Sequence, residues 1–131
     1  MAGYIKSSKS NDWKTPKETY KELNDEFKFD FDPCPSPRSD WDGLKINWKE
    51  RNFVNPPYKY LKDWIKKSFE EYKKGKLIVL LIPSRTDTIA FHKYIYPYAE
   101  LRFLKGRLKF NDGKVSAPFP SVVVIFKGGL K

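Results

Sequence analysis

The sequence predicts a single three-layer α/β domain. Two stretches carry apolar residues at helical spacing: Tyr20, Leu23 and Phe27, then Leu61, Trp64, Ile65, Phe69 and Tyr72. Between and after them lie short apolar or alternating runs that read as strands. One of these, residues 77–82, is a continuous β-branched and leucine run, as expected of a strand buried on both faces. Helices alternating with strands, followed by closing strands, give a sheet with helices packed on it.

Taken in order, residues 1–12 are polar and rich in Ser and Lys, and read as an N-terminal arm outside the domain of residues 13–131. Thr15-Pro16-Lys17-Glu18 opens the first helix: Thr15 can cap, Pro16 suits the first helical position, and Glu18 completes a capping box. Residues 27–32 alternate Phe with Lys or Asp, the pattern of a strand with one apolar face, and Pro33 and Pro35 end it. Asp32 then stands at the carboxyl end of a strand, where open α/β sheets bind ligands. Residues 36–42 form a turn-rich loop, and residues 43–48 a very short strand. Residues 51–54 form a second strand. A helix over residues 60–74 stops at Gly75, and the buried strand of residues 77–82 follows. Residues 83–87 are a loop leading into a helix that reaches Tyr96. Residues 101–104 and 107–110 alternate as strands, and residues 111–114 are a turn. Residues 117–120 are a stiff loop, and residues 122–126 the last strand.

The 131 residues suffice for one domain with a real core. Lys and Arg number 26 against 16 Asp and Glu, a net charge of +10, which favours a polyanionic partner. No apolar run is long enough for a membrane span, and the N-terminus carries no apolar signal core. One Cys excludes internal disulfides and suits a reducing compartment such as the cytoplasm; one His and one Cys cannot build a zinc site. The seven glycines do not approach Gly-x-Gly-x-x-Gly spacing, so a phosphate-cradling loop is not expected.

The chemistry concentrates at Asn55-Pro56-Pro57-Tyr58. Two prolines fix φ and remove donors, making a rigid elbow after the strand of residues 51–54. The Asn55 side-chain oxygen and the Pro56 carbonyl are acceptors, and Tyr58 adds a flat ring. Two acceptors and a ring suit an amino group on a planar heterocycle; the same tetrapeptide can also be a plain turn. Asp32, on the neighbouring strand end, suits a cationic or hydroxyl-bearing ligand, or serves as an Asx turn before proline. The lone His92 reads as a helix residue.

Seven blocks in order resemble the phage-type DNA N6-adenine methyltransferases, which are Dam-like enzymes carrying an Asn-Pro-Pro-Tyr motif. They are Trp13-x-Thr15-Pro16, Phe31-Asp32-Pro33-Cys34, Asp42-Gly43-Leu44, Trp48, Asn55-Pro56-Pro57-Tyr58, Pro83-Ser84-Arg85-Thr86-Asp87-Thr88 and Lys105-Gly106-Arg107-Leu108-Lys109-Phe110. The resemblance spans nearly the whole chain. It implies a compact, abbreviated Rossmann-like methyltransferase fold that uses S-adenosyl-L-methionine. Trp13, Thr15 and Pro16 would then approach the methionine carboxylate of the cofactor. Asp32 and Pro33 would lie on its first binding strand, and Asp42 would hold ribose hydroxyls. Asn55 and Pro56 would accept from the adenine amino group, with Pro57 stiffening the elbow and Tyr58 stacking on a base flipped out of double-stranded DNA. Arg85, Arg107 and Lys109 are candidates for phosphate contact. A phage-encoded enzyme would work in the bacterial host cytoplasm, and a homodimer would enlarge the DNA footprint.

The sequence departs from a generic methyltransferase in three ways. Asp-Pro-Cys-Pro stands where a glycine-rich loop is usual. Only about twenty residues separate Asp32 from Asn55. No stretch is left for a separate target-recognition domain, so specificity falls to short loops such as residues 36–42 or 115–120. Two other activities share these features: a non-catalytic nucleic-acid-binding protein with aromatic stacking platforms, and a methyltransferase acting on RNA or on a protein amide.

Overall fold

The computed structural model describes residues 14–35 and 40–128, with the backbone alone for Asn111 and Asp112. Four strands form one open sheet in the order β1-β2-β5-β3. They are β1 (Arg51–Val54), β2 (Leu77–Pro83), β3 (Glu100–Phe103) and β5 (Ser121–Lys127). β1 and β2 are parallel, whereas β5 runs antiparallel to both β2 and β3.

β2 is buried along its whole length, and its side chains alternate between the faces of the sheet. Ile78, Leu80 and Ile82 join Val54, Val122, Val124 and Phe126 on one face, under Trp64 and Ile65 of helix α2 (Leu61–Lys73) and under Phe91 and Ile95 of a π-helical segment (Phe91–Ile95). Leu77, Val79 and Leu81 join Phe53, Val123 and Ile125 on the other, under Leu23 and Phe27 of helix α1 (Lys17–Phe27). Both faces are thus covered, which is why residues 77–82 read as uniformly apolar.

Several local expectations are corrected. Residues 27–32 are not a continuous strand. Phe27 belongs to α1, which ends where Lys28 takes the left-handed conformation at φ 55° and returns its N–H to Asn24 O. The Asn24 side chain then accepts from Phe29 N at 2.9 Å. Only Phe31 bridges β1, parallel to Asn52, and Asp30 and Phe31 both donate to Arg51 O. An alternating pattern cannot distinguish such an extended lane from a strand. The capping box is also absent: Pro16 is the cap residue and caps with no side-chain bond.

Residues 43–48 form turns rather than a strand. Among the described residues, the stretch between Phe31 and β1 is held by tryptophans and a buried carboxylate. Trp48 Nε1 donates to Gly43 O at 2.7 Å, and Trp41 Nε1 to Pro33 O at 3.1 Å. Trp48 N donates to Glu71 Oε1, and the fully buried Glu71 also meets Lys67, Lys74 and Lys76. Burial alone would raise the Glu71 carboxyl, but the three ammonium groups and the Trp48 N–H bring it down to about 2.

Residues 107–110 make two isolated antiparallel bridges instead of a strand: Lys109 to Ser116 and Phe110 to Val115, the latter two being partners in the short β4 (Val115–Ser116). The turn over residues 111–114 is a helical turn, Phe110–Gly113. No helix among the described residues is long and apolar enough to cross a membrane.

Candidate active site

Strand directions collect four chain segments at one end of the sheet. β1 and β2 are parallel, so Asn55 and Ser84 leave the sheet at the same end. β5 is antiparallel, so its entry loop, ending at Pro120, arrives there too, and Ser84 N donates to Pro120 O at 2.9 Å. The parallel bridge at Phe31 brings Asp32 to that end as well.

The elbow is built as its sequence dictates. Pro56 is buried, and Pro57 is extended at φ −63° and ψ 139°. The chain then turns through a 3-10 turn, Tyr58–Tyr60, into α2. Asn55 is fixed from two sides. Its Nδ2 donates to Thr15 Oγ1 at 2.9 Å, and its backbone carbonyl accepts from Cys34 Sγ at 3.6 Å. Its Oδ1 is buried. The Tyr58 ring meets the edge of Phe119 at 5.0 Å between centroids and 85° between planes, an edge-to-face contact. Burial raises the Tyr58 phenol well above its ordinary value, and the charge of Arg85 opposes that shift.

Asp32 accepts from Cys34 N at 2.9 Å through Oδ1, an Asx turn across Pro33. Burial pushes its carboxyl up to about 6, against the pull of that hydrogen bond. Tyr20 stands near enough for the Asp32 charge to add to burial in raising its phenol. Among the described residues no basic side chain lies within ion-pairing distance of Asp32.

A family model described as DNA N-6-adenine-methyltransferase (Dam) matches residues 3–128. The chain belongs to the Dam family. No curated protein and no solved structure matches it.

Of the residues that the Dam resemblance points to, the structure gathers Thr15, Asp32, Pro33, Asn55, Pro56, Pro57 and Tyr58 at that end of the sheet, and Arg85 follows Ser84 there. Pro16 begins α1, and its carbonyl accepts from Tyr20 N. Asp42 is exposed, and its Oδ1 accepts from Leu44 N at 3.0 Å, closing a turn. Arg107 and Lys109 are exposed on the excursion between β3 and β5, which returns to the Dam elbow through Phe119. Trp13, the arm of residues 1–12 and residues 36–39 lie outside the described residues. His92 is exposed, with Nε2 2.7 Å from Thr86 O. Among the described residues no group of three or more His, Cys, Asp or Glu is placed to hold a metal ion.

Two contacts at the site were not legible beforehand. Cys34 reads as a lone thiol, yet it joins Asp32 to the Asn55 carbonyl. Phe119 lies between two prolines in a stiff loop, and that stiffness was its only signal.

Proposed function

We propose that this Dam-family protein transfers a methyl group from S-adenosyl-L-methionine to the exocyclic amino group of adenine in double-stranded DNA, with the base flipped out of the stack. The observation that carries the reading is the Asn55 elbow, anchored at the end of the sheet beside an acidic strand end, in a chain that matches the Dam family over residues 3–128.

The residues fit the cofactor. A half-buried Asp32 whose ionisation is opposed by desolvation and met by no described cation is a place for an ammonium or for ribose hydroxyls. Pro33, Asp42 and the segment Trp13, Thr15 and Pro16 flank it in this reading. When bound, S-adenosyl-L-methionine supplies an electrophilic methyl group on a sulfonium.

The chain's own residues prepare the amino group. Asn55 Oδ1 and Pro56 O accept its two protons, which favours a pyramidal nitrogen and stabilises the positive charge that develops there. Tyr58 stacks on the flipped base and offsets part of the few kcal/mol that unstacking costs. Phe119 buttresses that ring from its edge. No dedicated general base is needed before the methyl arrives: the amino nitrogen becomes cationic and acidic on methylation and then releases one of its two protons to solvent. Arg85, Arg107 and Lys109 take phosphates, and the +10 charge supplies the sequence-independent grip. Residues 13–131 act as one methyltransferase unit of abbreviated Rossmann-like form, and pairing of two copies would lengthen the DNA contact.

Incubation with methyl-tritiated S-adenosyl-L-methionine and either duplex DNA, RNA or protein tests the reading. Label is expected in adenine-containing duplex DNA. Label confined to RNA or protein would move the substrate, and tight DNA binding without any label would leave a binding protein on the same scaffold.

A further inference from the structure

The short stretch between Asp32 and Asn55 holds an aromatic side chain that the reaction above does not use. Trp41 is fixed at two points. Its Nε1 donates to Pro33 O at 3.1 Å, and its ring lies 5.5 Å from that of Phe31, tilted by 34°. Phe31 and Pro33 stand on either side of Asp32 in the chain, so both contacts bring the indole against the strand end that carries the Asp32 carboxylate. The loop behind the indole is tied down as well. Asp42 accepts from Leu44 N through Oδ1 at 3.0 Å and from Lys45 N through its carbonyl at 2.9 Å. Gly43 packs so closely on Pro33 that a Cβ there would meet Pro33 O at 2.2 Å.

Held in this way, Trp41 is still 43% exposed. Phe31 is half-buried and has a second neighbour, Lys49, whose Nζ is 5.5 Å from the ring centre. The aromatic surface open at this strand end is therefore mainly that of Trp41. A pinned, half-open indole thus stands beside a carboxylate that no cation among the described residues meets. Hydroxyl groups suit the carboxylate, and a flat base suits the indole face. A nucleoside carries both on one small frame. The target base of DNA already has Tyr58 for its ring, so the nucleoside that Trp41 fits is the one within the cofactor.

We propose that Trp41 is the stacking platform for the adenosine of S-adenosyl-L-methionine: the cofactor's adenine lies on the open face of the indole, beside the Asp32 strand end. This rests on the cofactor reading above. It gives the shortened stretch between Asp32 and Asn55 the task of holding the nucleoside end of the cofactor.

The test compares Trp41→Leu with Trp41→Phe. Both lose the Nε1 donor and both still cover Phe31, but only the second keeps an aromatic face. Binding of S-adenosylhomocysteine and of 5′-methylthioadenosine, which lacks the amino-acid end, is measured by calorimetry. Trp41→Leu is expected to weaken both ligands about tenfold, and Trp41→Phe to stay within about threefold of wild type. Duplex DNA affinity by fluorescence anisotropy is expected to be the same in all three proteins. Tryptophan emission should fall when S-adenosylhomocysteine binds to wild type, and most of that fall should be missing in Trp41→Phe. Unchanged affinities in Trp41→Leu, equal losses in the two variants, or a loss for S-adenosylhomocysteine without one for 5′-methylthioadenosine would each overturn the proposal. So would a fall in emission as large in Trp41→Phe as in wild type, or a loss of DNA affinity in place of cofactor affinity. Absence of methyl transfer by the wild-type protein, with this binding pattern intact, would instead strike the adenine-methylation reading alone.

Discussion

In the proposed reaction Asp32 and Asn55 divide the work, and each makes a prediction. Removing the Asn55 acceptor in Asn55→Ala should lower methyl transfer by 10²-fold or more, while DNA affinity by fluorescence anisotropy stays within about twofold. Full activity in that variant would remove the elbow from the chemistry. Asp32 carries a pH signature. Its folded pKa of about 6 lies above the ordinary 3.8. Its contribution to stability is therefore complete below about pH 3.8 and is lost as pH rises through 6. At pH 7 the ionised, half-buried carboxylate costs up to about 3 kcal/mol, an upper figure for this shift. Asp32→Asn, which can still accept from Cys34 N, should raise the urea midpoint at pH 7 and leave it unchanged at pH 4. A bound cation reverses the preference. Affinity for S-adenosylhomocysteine by calorimetry should rise between pH 5 and 7 in wild type and stay flat in Asp32→Asn. Equal profiles for the two proteins would place the cofactor elsewhere.

The elements that hold the site are strands whose loops converge, together with the turn region between Asp32 and Asn55. That region has no strand of its own among the described residues, and Gly43 shows how tightly it is packed. A Cβ there would sit 2.2 Å from Pro33 O and 2.7 Å from the Trp64 ring. Gly43→Ala should cost about 3 kcal/mol by urea denaturation, because the nearest obstacle is backbone and cannot rotate away. A loss below about 0.5 kcal/mol would mean that the loop is not packed against Pro33. Elements governed by burial were legible in the sequence: β2 and β5 as apolar runs, α2 by its stripe and its Gly75 stop. Elements governed by single hydrogen bonds were not. Thr15 looked like a cap because Ser or Thr before Pro and Glu usually is one, but Asn55, distant in sequence, claims its hydroxyl. Residues 27–32 alternated as a strand does, yet Lys28 in the left-handed region and the Asn24 side chain end α1 inside that pattern. The elbow was legible because proline acts locally; Phe119 beside Tyr58 was not, because 61 positions separate them.

The whole molecule is a small basic scaffold that brings the Asn55 elbow and the Asp32 strand end to one end of its sheet. The net charge of +10 makes affinity for DNA salt-dependent. Arg85→Ala should reduce the slope of log affinity against log salt by about 0.9, the value for one released phosphate contact. An unchanged slope would make Arg85 a solvated surface charge. The central claim concerns which atom receives the methyl group. Its most direct measurement is digestion of duplex DNA, after incubation with the protein and S-adenosyl-L-methionine, to nucleosides analysed by mass spectrometry. N6-methyldeoxyadenosine should accumulate with wild type and be lost with Asn55→Ala. Its absence with wild type, in DNA that the protein demonstrably binds, would contradict the account.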